Sequence, residues 1–186
     1  SVTIMATTDL HGYALNWDYF NNRPFTTETG LARVATLVEQ VRADRGEERT
    51  LLLDNGDTIQ GSSPAQYFAK IEPITQTGAT HPMAIAMNAL DYDAMVVGNH
   101  EFNYGLKNLA AARVTARFPW LSANTRTGSS VPPFAPYVVR VVGGVKVAVI
   151  GVTTAAVPQW EKPEQIEGFS WTTPEEGVRR ALESLR

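Results

Sequence analysis

The sequence predicts an α/β domain with a mostly parallel central sheet flanked by helices. Three short β-rich segments alternate with helical segments, and each of the three ends in a cluster of polar residues. Alternation of this kind is typical of parallel strands joined by helices. Because ligands bind outside the carboxyl ends of such strands, the polar clusters mark the expected functional site.

Composition limits the class of protein. A chain of 186 residues with 44% hydrophobic and 19% charged residues is long and apolar enough for one folded domain. A net charge of -3 gives no basic surface for a nucleic acid polymer. There is no cysteine, so disulfides, thiolate metal sites and cysteine nucleophiles are excluded, and the only histidines are His11, His81 and His100.

The first half of the chain predicts two strands and a long helix. Residues 2–8 are rich in β-branched residues and predict a strand, whereas residues 17–27 are expected to form a loop. Apolar residues recur at helical spacing over residues 29–46 and predict an amphipathic helix. Residues 50–53 form a continuous apolar run, as expected for a parallel strand that is buried on both faces.

The second half continues the alternation and adds a hairpin. We expect helices at 64–70, 82–90, 106–117 and 174–185, strands at 94–97 and 120–123, and a loop at 125–136. Gly143-Gly144 separates two β-rich runs, 137–142 and 145–152, which predicts a hairpin with a two-residue turn. No apolar run reaches the ~18 residues that a membrane span requires.

The polar clusters contain residue types that bind divalent cations. Asp9 and His11 follow the first strand, Asp57 follows the second, and Asn99 and His100 follow the third. Taken alone, the first cluster also fits a turn with a surface histidine, and the second is better explained as a tight turn. For the third the alternative is a histidine satisfied in the core, which its Asn and Glu neighbours make less attractive. Together the three clusters offer one Asp and one His for a first metal, a second Asp to bridge and an amide oxygen for a second metal. Oxygen and nitrogen ligands without sulfur suit Mn, Zn, Mg or Fe, and two such ions can clamp a phosphoryl group.

The ordered motifs resemble a known signature. DLHG at 9–12, GDTIQGS at 56–62 and GNHEF at 98–102, with GLARV at 30–34 and LSAN at 121–124, are similar to the calcineurin-like metallophosphoesterases. The form of the motifs is that of the 5'-nucleotidase and 2',3'-cyclic-nucleotide 2'-phosphodiesterase family. The resemblance implies a β-sandwich core of the four-layer αββα type and a two-metal hydrolase acting on nucleotides or other small phosphoesters.

The resemblance also implies residue roles. Asp9 and His11 are expected on the first metal, Asp57 is expected to bridge, and Asn99 is expected on the second metal. His100 is the expected catalytic histidine at the transition state or leaving group. Substrate-binding residues are not predicted.

Asn103 is the second expected catalytic residue. In the 5'-nucleotidase branch an aspartate three residues after the catalytic histidine partners it, whereas this chain has Asn103. An asparagine can orient the imidazole but does not favour its protonated form as a carboxylate would. This departure favours the 2',3'-cyclic-nucleotide 2'-phosphodiesterase branch, with 5'-nucleotidase as the alternative.

The resembling family completes its site with three later histidines, and none follows His100 in this chain. We therefore expect residues 1–186 to be the N-terminal part of a metallophosphoesterase domain. Further strands, later histidine motifs and a nucleoside-binding C-terminal domain would be absent from it. The sheet would then be incomplete at its C-terminal side, with exposed edges through which chains could associate. The alternative of another class is a catalytically silent segment that works by binding. The resemblance implies an extracytoplasmic location, although no signal peptide is recognisable.

Overall fold

The central sheet has four parallel strands in chain order. The computed structural model describes residues 1–186, and the strands are β1 (Thr3–Thr7), β2 (Thr50–Asp54), β3 (Ala94–Val96) and β4 (Trp120–Leu121). Thr7 lies opposite Asp54, and Asp54 lies opposite Met95. The carboxyl ends of the first three strands therefore meet at one edge. The predicted fold class is confirmed.

Seven α-helices connect or flank the strands. They are α1 (Leu31–Arg45), α2 (Ser63–Gln66), α3 (Ile74–Thr77), α4 (Pro82–Ala89), α5 (Gly105–Val114), α6 (Val157–Trp160) and α7 (Pro174–Ser184), with a π-turn at Tyr67–Ile71. Short 3-10 turns occur at Glu47–Arg49, His100–Phe102 and Pro163–Gln165. None of the helices combines the length and apolar composition that crossing a membrane would require.

Capping residues set where two of these helices begin. Pro82 stands in the first turn of α4, and the Nδ1 atom of His81 accepts a hydrogen bond from the backbone N–H of Met83. The Thr173 hydroxyl accepts from the backbone N–H of Glu176 at the start of α7. Both helices therefore begin where local side-chain chemistry predicts.

The antiparallel strands form two separate pairs. β6 (Tyr137–Val142) and β7 (Val145–Ile150) form the predicted hairpin. Its turn residues Gly143 and Gly144 have φ of 56° and 81°, as a tight hairpin turn requires. The expected loop at 125–136 is partly wrong, because Thr125–Thr127 (β5) pairs with Phe169–Trp171 (β8). This partner is distant in the chain, so no local pattern announces the strand.

The hydrophobic core lies between one face of the parallel sheet and the helices. Alternate strand residues point into it, among them Leu52, Met95 and Trp120, and they pack with side chains of α1, α4 and α5. The opposite face is only partly covered: Ile4 is 58% exposed, and Val141 on the hairpin is 68% exposed. A cavity of about 400 Å³ separates this face from the hairpin.

Candidate metal centre

The three polar clusters lie at the carboxyl edge of the parallel sheet. Asp9 and His11 follow β1, Asp57 follows β2, and Asn99 and His100 follow β3. The backbone N–H of His11 donates to the Asp57 carbonyl at 2.9 Å, and the N–H of Asp9 donates to Gly56. The first two loops are therefore joined to each other by their own main chains.

Three of the predicted residues converge on one point, and Asp9 lies beside one of them. One potential ligand atom from each of His11, Asp57 and His100 lies within 4.8 Å of the others. Asp9 places Oδ1 at 3.7 Å from Nε2 of His11. Asn99 begins the 3-10 turn that carries His100, and its side chain makes no capping hydrogen bond. These positions bring two carboxylates and two imidazoles together at a half-open edge of the domain.

The backbone of this site is held in an uncommon conformation. Asp9, His11 and Asp57 have φ of 54°, 47° and 60°, and only Asn22 and Asp91 share positive φ among the other non-glycine residues. The left-handed region is tolerated best by Asp, Asn and Gly. Local strain of this kind is typical of functional sites, where the surrounding structure enforces it.

The ring orientation of His11 is fixed by the main chain. Its Nδ1 atom lies 2.9 Å from the carbonyl oxygen of Gln60. A carbonyl oxygen can only accept, so Nδ1 carries the proton and the lone pair is on Nε2. Gly61 makes this approach possible, because a Cβ there would lie 2.7 Å from the His11 Cβ. An imidazole that donates a hydrogen bond from one nitrogen to a backbone carbonyl and keeps a lone pair on the other is a typical metal ligand.

His100 is held at its backbone and at its ring. Its N–H donates to Asp57 Oδ1 at 2.9 Å, and its Nδ1 lies 2.6 Å from Oδ1 of Asn103. The amide oxygen of Asn103 accepts, so Nδ1 carries the proton here too and Nε2 is the free ring atom. The His11 and His100 rings meet edge to face with centroids 5.2 Å apart.

The Glu101 carboxylate holds the loops after β2 and β3 together through hydrogen bonds to their main chains. This fully buried side chain accepts hydrogen bonds from the backbone N–H groups of Asp57, Thr58, Ile59 and Gly98. Burial raises the pKa of Glu101 to about 7, against the opposing effect of these donors. Glu101 belongs to the GNHEF motif, but the motif alone predicts no role for it.

Asp54 supports the loop that carries Asp57 by hydrogen bonds to residues on either side of it. Sequence reasoning gave no role to Asp54 either. Its carboxylate accepts from the hydroxyls of Thr7 and Thr58, each at 2.6 Å, and from the N–H of Gly56 at 3.0 Å. Burial raises its pKa. The only available sequence signal was an ionisable residue at the end of an apolar strand, which also describes many simple turns.

The donor set fits a divalent cation. The Nε2 lone pair of His11 and the carboxylates of Asp9 and Asp57 are nitrogen and oxygen donors of the kind that Mn, Zn, Fe and Mg accept. By distance alone His100 also qualifies as a ligand, whereas the motif resemblance assigns it to the substrate.

Comparison with known proteins agrees with this geometry. The family profile described as calcineurin-like phosphoesterase matches residues 2–184. The chain belongs to the calcineurin-like phosphoesterase family. The resemblance inferred from the motifs is thereby confirmed.

Curated relatives of this phosphoesterase domain carry several nucleotide-related names. The chain is 38% identical over 90% of its length to the trifunctional nucleotide phosphoesterase protein YfkN of Bacillus subtilis. It is 36% identical over 86% of its length to a 2',3'-cyclic-nucleotide 2'-phosphodiesterase/3'-nucleotidase of Haemophilus influenzae. It is 33% identical over its whole length to a 5'-nucleotidase of Vibrio cholerae. The chain spans 12%, 25% and 31% of the lengths of these three relatives.

A solved structure shares the fold closely. The crystal structure of the calcineurin-like phosphoesterase YfkN from Bacillus subtilis superposes with a TM-score of 0.86 and 33% identity. The match covers 99% of this chain and 57% of that one.

Proposed function

We propose that this domain carries the metal-binding and catalytic residues of a phosphoester hydrolase that acts on nucleotides. The observation that supports this most directly is the convergence of His11, Asp57 and His100 within 4.8 Å. Family membership and the names of the relatives point in the same direction.

Within this proposal the residues divide into ligands and a proton-transfer group. Asp9, His11, Asp57 and Asn99 would hold two divalent cations drawn from Mn, Zn, Mg and Fe. When bound, such ions neutralise phosphate charge and activate a water molecule. His100 keeps its proton on Nδ1 and offers Nε2 for proton exchange with the substrate oxygen.

The preferred substrate class is a 2',3'-cyclic nucleotide, with 3'-nucleotides as the second substrate. Asn103 in place of a carboxylate supports this branch, as does the relative from Haemophilus influenzae. Hydrolysis of 5'-nucleotides is the alternative, supported by the Vibrio cholerae relative that matches the whole chain. Completion of the site by residues outside 1–186 and an extracytoplasmic location remain predictions.

The test is metal-dependent hydrolysis with a matched pair of variants. In the complete enzyme we expect Mn²⁺ to stimulate cleavage of bis(p-nitrophenyl) phosphate and of 2',3'-cyclic AMP, with 5'-AMP turned over more slowly. Turnover is expected to be weak on residues 1–186 alone. Asp57→Asn should abolish it, whereas Asp91→Asn should not, since Asp91 is also an aspartate at positive φ but is exposed and outside the site.

Each other outcome has a definite meaning. Faster turnover of 5'-AMP than of 2',3'-cyclic AMP would reverse the substrate assignment. Equal loss in the two variants would show that Asp57 acts through folding. Absence of Mn²⁺ binding and of turnover in the complete enzyme would favour the catalytically silent segment.

A further inference from the structure

We propose that Glu161 is a positioning residue that acts on His100 through the side chain of Asn103. This inference deepens the proposed function and rests on it. Glu161 is not among the predicted site residues, and it lies 58 residues beyond Asn103 in the chain.

The contacts form a continuous series of side chains. Nδ1 of His100 lies 2.6 Å from Oδ1 of Asn103, and Nδ2 of Asn103 donates to Oε2 of Glu161. The amide of Asn103 is thus engaged at both ends. An imidazole, an amide and a carboxylate follow one another, with the negative charge one residue further from the ring than in a direct histidine–aspartate pair.

The carboxylate determines which way the Asn103 amide faces. A carboxylate only accepts hydrogen bonds, so it requires the NH₂ group of Asn103 on its own side. The amide oxygen must then face His100, and only a protonated Nδ1 can satisfy it. Without Glu161 the amide could rotate and present NH₂ to the ring, which would favour the other tautomer and place the proton on Nε2. The wrong tautomer of a catalytic histidine is costly to turnover even when its position is unchanged.

The segment that carries Glu161 is itself anchored on Asn103. Glu161 is 7% exposed and follows directly on α6, where its N–H donates to the carbonyl of Val157 at 3.0 Å. Gln165, in the next turn, donates from Nε2 to the backbone carbonyl of Asn103 and accepts from the N–H of Lys162 at 3.1 Å. The segment 161–165 therefore contacts Asn103 twice: Glu161 accepts from its side chain, and Gln165 donates to its main-chain carbonyl. Because Glu161 is buried and a second residue of the same segment also contacts Asn103, this is not an accidental surface contact.

Glu161→Ala with Glu164→Gln as its control provides the kinetic test. Glu164 is an exposed acid three residues beyond Glu161, in the 3-10 turn Pro163–Gln165. Using 2',3'-cyclic AMP and Mn²⁺, we expect Glu161→Ala to lower kcat by about 10- to 100-fold with little change in KM, as is typical when the group orienting a functional histidine is lost. Glu164→Gln should match wild type. A loss of less than about twofold in Glu161→Ala would overturn the proposal.

A charge exchange separates positioning from folding. Asn103→Asp alone would set two carboxylates against each other and should lower kcat. The double variant Asn103→Asp/Glu161→Gln restores a donor opposite the new carboxylate, which still accepts from Nδ1 of His100. It should recover kcat to within about threefold of wild type. If kcat of the double variant does not exceed that of Asn103→Asp, Glu161 does not position His100 through Asn103. This result would contradict the proposal even if Glu161→Ala fails to fold.

A spectroscopic arm is independent of turnover. The chain has only three histidines, so ¹⁵N-histidine labelling resolves each ring by NMR. Wild type without metal should show His100 protonated at Nδ1, and Glu161→Ala should shift the population toward Nε2–H. If the complete enzyme lacks turnover but this shift occurs, the proposed function fails and the positioning role stands. If turnover is present and the His100 tautomer does not change, the positioning role fails.

Discussion

The backbone N–H of His100 donates a hydrogen bond of 2.9 Å to Oδ1 of Asp57. The predicted bridging ligand and the predicted catalytic histidine are therefore joined by a main-chain group that every substitution at position 100 except proline retains. A substitution at position 100 can therefore remove the imidazole ring and keep the main-chain hydrogen bond to Asp57.

His100→Ala is expected to lose turnover while retaining metal. The substitution removes the ring but keeps the N–H that orients Asp57, so kcat should fall by about 10²- to 10⁴-fold, the range for loss of a general acid or base. Mn²⁺ affinity, measured by calorimetry, should stay within about threefold of wild type because the ring is not a ligand in this assignment. A parallel loss of affinity would instead make His100 a ligand, as its distances alone allow.

Glu101→Gln is expected to destabilise the domain. Each oxygen of Glu101 accepts two backbone N–H groups, and the NH₂ group of glutamine would face two of these donors instead. The free energy of unfolding in urea should fall by about 1–3 kcal/mol, the cost of unsatisfied buried groups. Glu39→Gln, at an exposed position on α1, is the control. Equal stability of the two variants would mean that Glu101 does not organise the loops.

Gly56→Ala is expected to cost more than Gly78→Ala. Both glycines have positive φ, 93° and 71°, but a Cβ at position 56 would lie 2.6 Å from the backbone nitrogen of Gly98, whereas one at position 78 meets nothing within 4 Å. Gly78→Ala should lose about 1 kcal/mol from backbone strain, and Gly56→Ala about 2–4 kcal/mol because overpacking is added. Thermal unfolding measures both. If the two losses are the same, the close approach of the two loops is not a constraint.

His81 is expected to make the domain less stable in acid. It is 1% exposed, and burial lowers its pKa from 6.5 to about 4, with partial opposition from the Ile59 carbonyl. As the pH falls, His81 therefore takes up a proton near pH 6.5 in the unfolded chain, but only near pH 4 in the folded chain. The resulting stability is fully present above pH 6.5 and is lost as pH falls toward 4, by up to about 3 kcal/mol.

Urea unfolding between pH 7 and pH 4 measures this effect. His81→Asn keeps an acceptor for the N–H of Met83 at the start of α4 but does not titrate. The variant should show a shallower loss of stability over this range. If its pH dependence matches that of wild type, His81 is not the group responsible.

Local patterns predicted the elements that local chemistry determines. The apolar run at 50–53 lies in the strand Thr50–Asp54, and the glycine pair 143–144 forms the turn of the hairpin. The helix expected from residue 174 begins at Pro174. Each of these predictions is confirmed. The meeting of Asp57 with His100 was also predictable, because parallel strands bring their carboxyl ends to one edge.

Contacts between distant segments escaped prediction. The strand Thr125–Thr127 exists through its pairing with Phe169–Trp171. Glu101 reaches backbone donors 42 to 44 residues away, and Glu161 reaches Asn103 across 58 residues. Residue types and spacing do not encode such meetings, since many acidic residues occupy similar local contexts on exposed surfaces.

The two imidazoles of the site differ in how easily evolution could alter them. The acceptor for Nδ1 of His11 is the main-chain oxygen of Gln60, which persists whatever side chain stands at position 60. The acceptor for Nδ1 of His100 is the side chain of Asn103, and a single nucleotide change converts asparagine to aspartate. One ring is consequently insulated from mutation at its partner residue, whereas the other can be retuned. Divergence of activity within this site would be expected at His100 and its supporting residues, with His11 unchanged.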